Sequence, residues 1–327
     1  MRRCSNRGRP PTDRCAVMVF ALLLAACGAA PPPRPAAITE PETALRQGVA
    51  AVREDRYFDA RRLFAKAFAH YRSIDDSEGA IASLINLAEV ELTLGEQARA
   101  LASIEEAERI ARREGSAVHL SRLALQRGRA LRLAGEREAA RELFDKLLAD
   151  GDAIADDVAR AALFERAALA IETGEDGHRW LERLASAAAD EPERARQAQL
   201  AARLATELAA AEAHLREAHA IYRRLHHRTG LAAIHAEWGR RLAAAGRLAE
   251  ARDHYDRALY IRLWLNDRVH TMDVLEAMLA LEEQAGDEAR AAQLRAWLEY
   301  MRGREELAWP ILQGRYEELA KTRPEAP

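Results

Sequence analysis

A corner glycine returns along this chain at nearly constant intervals, and that rhythm restricts the fold more than any other property. Gly95, Gly135 and Gly174 lie forty and thirty-nine residues apart, and Gly286 follows Gly246 by forty. The surroundings repeat as well. Gly135 has Gly128 seven residues before it, Ala140 five after and Phe144 nine after. Gly95 has Ala88, Ala100 and Ile104 at the same offsets, and Gly246 has Gly239, Ala251 and Tyr255. Asp55 holds a first corner among Gly48, Ala60 and Phe64, and Gly286 is followed by Ala291. Self-similarity at this period marks stacked supersecondary units, each with an apolar face that only its neighbours can bury.

The clearest unit, Ala232 to Leu265, predicts two helices meeting at Ala245-Gly246-Arg247. Gly239, Ala251 and Ala258 are small where the helices approach, while Trp238, Leu242, Leu248, Tyr255 and Leu259 fill the gaps. This spacing resembles the tetratricopeptide repeat (TPR), whose signature runs Trp-Leu-Gly, then Tyr, then Ala, Phe and Ala. The resemblance implies an all-α fold, a TPR-like α-solenoid with a concave groove. Composition agrees: alanine, the strongest helix former, supplies roughly a fifth of the chain. The pattern predicts about seven helix-turn-helix repeats over residues 41–302. Five are clear and two are degenerate. The pair around Gly174 has a second helix running through Trp180, Leu181, Leu184 and Ala185. The next must fit Glu191–Leu225, with a corner expected near Ala209–Ala211. A second echo, Tyr71 to Gly79 and Tyr222 to Gly230, marks passages between repeats. Trp309-Pro310 breaks a final stretch, 303–327, expected to cap the array with short helices.

The N-terminus predicts an address. Arg2, Arg3, Arg7, Arg9 and Arg14 precede an apolar run from Ala16 to Ala26. That run is too short to span a bilayer, which takes about 20 residues, and suits a secretory signal. Its end, Leu24-Ala25-Ala26-Cys27, resembles the bacterial lipobox. The resemblance implies a signal peptide over 1–26, lipidation of Cys27, and a Pro/Ala-rich linker over 27–40; the plainer alternative is an ordinary signal peptide with a chance cysteine. By the sorting rule of proteobacterial lipoproteins, Gly28 after the cysteine implies the periplasmic face of the outer membrane. Cys4 and Cys15 would be removed, leaving no cysteine pair for a disulfide or a thiolate metal site. Removing five arginines and Asp13 leaves 49 − 5 = 44 basic and 52 − 1 = 51 acidic residues. Such a balance lacks the basic face that nucleic acid requires.

Catalytic motifs are missing from the sequence: it holds no phosphate loop and no nucleophile elbow. The expectation is therefore a non-enzyme without cofactor. His214, His219, His226, His227 and His235 crowd one region, but none of their spacings is the i, i+3 or i, i+4 that sets two ligands on one helical face. Convergence from neighbouring helices stays open, so a small-ligand or metal-binding protein is the alternative function. Trp180, Trp238, Trp264, Trp297 and Trp309 are expected in the core, with Trp309 the one to suspect of exposure.

Carrying the family's groove positions onto this chain implies a partner surface at Leu45, Val49, Ile85, Glu89, Arg122, Leu125, Arg129, Arg132, Phe164 and Arg240. TPRs that hold a peptide's terminal carboxylate use Lys and Asn at two of these places. Here they are Leu45/Val49, Ile85/Glu89 and Leu125/Arg129, a departure from that ligand class. Arg122, Arg129 and Arg132 read either as a site for an acidic or C-terminal peptide segment or, more plainly, as a solvated helix face. The function this reading implies is a lipid-anchored scaffold or assembly factor for envelope proteins.

Overall fold

Fourteen α-helices follow one another from residue 36 to residue 301 of the computed structural model, with no strand among the described residues. The structure describes residues 36–149, 155–185, 190–302, 314–317 and 319. The expected signal, Cys27, most of the linker and Trp309 lie outside them, as does most of 303–327. The chain divides into two compact units, Met1–Thr39 and Glu40–Pro327, and the helices belong to the second, save the start of the first helix.

The helices form seven antiparallel pairs. The first three are α1 (Ala36–Arg53) with α2 (Tyr57–Ser73), α3 (Ser77–Thr93) with α4 (Gln97–Glu114), and α5 (Ala117–Leu133) with α6 (Arg137–Ala149). Next come α7 (Asp156–Thr173) with α8 (His178–Ala185) and α9 (Glu191–Leu204) with α10 (Leu208–Arg224). The last are α11 (Arg228–Ala244) with α12 (Leu248–Trp264) and α13 (Arg268–Ala285) with α14 (Glu288–Met301).

One local device makes most corners. Gly95, Gly135, Gly174, Gly246 and Gly286 all adopt positive φ, and Asp55 does so in the first pair. The next N–H then reaches back past the helix end: Glu96 N to Glu91 O at 2.8 Å, Arg247 N to Leu242 O at 2.9 Å. This satisfies a carbonyl that the helix end leaves open. Passages between pairs use the same geometry at Asp75, Gly115, His226 and Asn266.

The fifth pair differs. Its corner is Ala205-Thr206-Glu207, ahead of the alanine run where it was expected, because Leu208–Ala211 already begins α10 and Ala211 is buried. Ala205 is extended (φ −59, ψ 130) instead of left-handed. The open carbonyls there are met by Arg241 of α11, which donates to Ala202 O, Arg203 O and, at 2.9 Å, Ala205 O. A guanidinium replaces the missing corner glycine.

Close packing explains the other small residues. A Cβ at Gly48 would stand 2.5 Å from the Phe64 ring and one at Gly239 2.7 Å from Tyr255, while one at Gly128 would overlap Phe144. Gly79 and Gly230 face Tyr71 and Tyr222 in the same way across successive pairs. The last pair is held by a buried ionic knot. Glu282 of α13 is fully buried between Arg252 of α12 (Nε 2.7 Å) and Arg290 of α14 (Nε 2.9 Å). Arg290 also donates to Leu319 O at 3.0 Å, tying the described part of the C-terminal segment to the array.

Residues far apart in the chain also meet. The Thr229 hydroxyl, at the start of α11, donates to Asp55 Oδ1 at 3.1 Å and lies 3.1 Å from the Tyr57 hydroxyl. Arg228 stands 3.7 Å from Asp55. Val269 of α13 sits against the Gly95 corner where any side chain would overlap it, whereas Gly135, Gly174, Gly246 and Gly286 have no neighbour within 4 Å at that point. A seam thus joins the corners of the first two pairs to the last two. Burial in it pushes the Tyr57 phenol up to about 12.

Candidate binding groove

The first helices of successive pairs stand side by side, so a period of forty places equivalent residues next to one another. Glu89 of α3 and Arg129 of α5 are forty apart and form an ion pair, and Arg132 meets Glu172 of α7 at 2.6 Å. Glu165 lies between the two arginines, 3.0 Å from Arg129 and 3.0 Å from Arg132. The result is a ladder, Glu89–Arg129–Glu165–Arg132–Glu172, stitching the second, third and fourth pairs. Glu89 above all raises the Arg129 pKa further. Arg122 pairs with Asp157 of α7 at 2.6 Å. Of the arginine cluster expected as a peptide site or a solvated face, Arg129 and Arg132 fasten one repeat to the next, with side chains only 27% and 15% exposed, whereas Arg122 stays 44% exposed in its pair.

The apolar positions of the expected groove contribute largely to the core. Leu45, Val49 and Ile85 are half-buried against the first core cluster, and Leu125 is buried in the next. Phe164 is half-buried, with the Arg196 guanidinium 5.4 Å above its ring.

The open concavity lies further along. Helices α5, α7, α9, α11 and α13, with one residue of α12, line a cavity of about 780 Å³. Arg132, Arg203, Arg240, Arg241 and Arg262 border it, against Glu172, Glu237 and Asp273. Arg240 and Arg241 share Glu237, and Arg262 holds Asp267 at 2.7 Å. Arg203 makes no ion pair among the described residues; burial lowers its pKa, and Arg132 and Arg241 lower it further against the opposing pull of Glu172. Burial likewise lowers Arg240, with Arg203 and Arg241 adding repulsion, yet its side chain stays 61% exposed. Of these, the sequence singles out Arg132 and Arg240. Arg203 escapes it because the fifth corner falls before the alanine run: with the corner at Ala205-Thr206-Glu207, Arg203 stands one residue before the helix end, as Arg132 does in α5.

Imidazoles from three helices gather beside this region. His235 Nδ1 lies 3.0 Å from His254 Nδ1, His219 meets His235 edge-on at 5.3 Å, and Trp238 stacks on His254 at 4.7 Å. Burial above all pushes His235 down to about 3 and His254 down to about 4. Among the described residues, no three His, Cys, Asp or Glu side chains are placed to hold a metal ion. Two other histidines serve turns: His226 takes the left-handed conformation, and His227 Nδ1 accepts from Gly230 N at 2.9 Å. Trp180 and Trp297 are buried, as expected. Trp264 is instead 47% exposed, under the Arg228 guanidinium at 4.4 Å.

Residues 40–113, the first two helical pairs, match a family model described as tetratricopeptide repeat. Among solved structures, the chain is similar to a tetratricopeptide repeat protein of Parabacteroides merdae (15% identity, 86% of this chain and 99% of that one, TM-score 0.44). It is also similar to the TPR2AB domain of yeast Sti1 in a complex with pHSP90 (16% identity, 81% and 99%, TM-score 0.34). A third is BtubC from P. vanneervenii (17% identity, 82% and 92%, TM-score 0.33). No curated protein matches the chain.

Proposed function

We propose, from an all-α solenoid of seven helical pairs whose first two match the tetratricopeptide-repeat family, a non-catalytic scaffold or assembly factor, anchored by lipid at Cys27 in a bacterial envelope, that holds a partner protein in its concave face. Solenoids of this kind present extended concave surfaces to protein partners. The observation that carries the reading is the 780 Å³ cavity lined by the first helices of the third to seventh pairs. A lipid at Cys27, followed by a Pro/Ala spacer, would confine the solenoid to a membrane surface and raise its effective concentration for partners there.

Two measurements test it. A photoreactive residue in place of Gln199, on the cavity wall, is expected to crosslink one dominant envelope protein in the native cell, identified by mass spectrometry. Diffuse products would remove the concave face as the partner site. Cys27→Ser is expected to release the protein from the membrane fraction; retention there would overturn the anchor.

A further inference from the structure

We infer that the cavity bordered by Arg203, Arg240 and Arg241 takes an acidic peptide segment, read through the carboxylates of its side chains and not through a chain terminus. This rests on the scaffold reading and specifies the ligand of that surface.

Five guanidinium groups border one cavity that has three carboxylates on its wall. In the ladder from Glu89 to Glu172 each arginine has a carboxylate of its own chain on either side. At this cavity Arg132 and Arg262 are paired in that way, but the neutralisation of the other three is incomplete. Arg203 has no ion-pair partner among the described residues, and Glu237 is shared by Arg240 and Arg241. Three neighbouring cations at a half-buried wall repel one another, and an incoming pair of oxyanions relieves that repulsion while accepting charge-assisted hydrogen bonds.

The shape of the wall selects a peptide over a compact phosphate. Ile171 and Ala236, both half-buried, share the wall with the charged groups, and Gln199 offers both a donor and an acceptor for backbone amides. Glu172 and Asp273 on the rim oppose a single concentrated polyanion, whereas carboxylates spaced along a chain can reach the arginines and leave the apolar residues to intervening side chains. About 780 Å³ is within the usual size of a ligand site. Arg241 has a second task, since it caps the α9 carbonyls; it fixes the floor of the site while Arg203 and Arg240 supply the adjustable charge.

The test uses the full chain and a fluorescent ten-residue peptide of alternating Glu and Leu, with both ends blocked, followed by anisotropy. Binding is expected and should weaken steeply between low and high salt. Combining Arg203→Ala with Arg240→Ala should weaken it by about tenfold or more, the scale of one lost charge-assisted contact. Arg295→Ala, on the exposed side of α14, should leave it unchanged. Because alanine at two sites could loosen the wall, Arg240→Glu is paired with the corresponding Lys/Leu peptide, which should then bind where the parent protein does not take it. Equal binding of a Gln/Leu peptide, no loss in the double variant, or displacement of the peptide by equimolar pyrophosphate would each overturn the inference. Failure here together with a single dominant product at Gln199 would leave the scaffold standing with a different ligand chemistry.

Discussion

Gly239 and Gly246 are separated by one helical segment and serve opposite needs. Gly239 is small because the Tyr255 ring lies where its Cβ would be, at 2.7 Å; Gly246 has φ +76 and open space around it. Gly239→Leu is therefore expected to force the sixth pair apart, costing about 1–3 kcal/mol in urea denaturation. Gly246→Asn should cost less than about 1 kcal/mol, because asparagine tolerates the left-handed region and has nothing to strike. A reversed order of the two would contradict this assignment. The same contrast shows why some corners are readable and others hidden. Left-handed glycines advertise themselves, whereas Asp75, His226 and Asn266 take the same conformation without a glycine. Their short or planar polar side chains make that region accessible, and nothing distinguishes them in the sequence from any other surface residue.

At the scale of elements, two ionic arrangements hold helices to one another. Glu282 has no solvent contact and faces Arg252 and Arg290 across three helices. Glu282→Gln leaves two buried cations with one acceptor fewer, and the expected cost is about 3–5 kcal/mol, read as a loss of thermal stability confined to the last two pairs. The histidine cluster gives these pairs a pH dependence. His235 and His254 lie below the ordinary 6.5, at about 3 and 4, so between those limits the unfolded chain binds more protons than the folded one. Their stabilising contribution is complete above pH 6.5 and is lost as pH falls towards 4. Asp256 acts in the opposite sense, since burial raises its carboxyl to about 6 and folding is then weakened as pH rises through 4 to 6. Melting temperature should fall between pH 7 and 5 in the Asp256→Asn background, and the additional change His235→Asn with His254→Asn should flatten that slope. An unchanged slope would mean that the imidazoles are solvated. Neither arrangement is legible in the sequence. The crowding of histidines is visible there, but His254 stands outside the crowd, and only the packing of three helices brings it to His235.

At the scale of the whole second unit, the seam matters most. Asp55, Tyr57 and Gly95 belong to the first two pairs, and Thr229 and Val269 to the last two. The junction rests on a few hydroxyl contacts, the Arg228–Asp55 ion pair and the side chain of Val269 against Gly95, a small set of contacts beside the packing within each pair. Val269→Asp would replace the half-buried apolar contact at the glycine corner with a carboxylate and is expected to open it. Hydrogen exchange should then rise together at the start of α13 and at the Gly95 corner, while helix content by circular dichroism stays the same. Exchange rising on one side alone would show that the two ends do not depend on each other.

The sequence by itself determined the helices, their pairing into seven units and most corners. Each is settled within about one repeat, by backbone sterics, the helical period of apolar residues and the fit of a glycine against an aromatic ring sixteen positions later. The tertiary structure decided which arginines are neutralised, where the concavity lies and whether the ends meet. Those outcomes depend on side chains separated by one repeat or more, positioned by small rotations that accumulate from pair to pair. Arg129 and Arg203 look alike in the sequence; one is fastened to Glu89 and Glu165, and the other faces an open cavity.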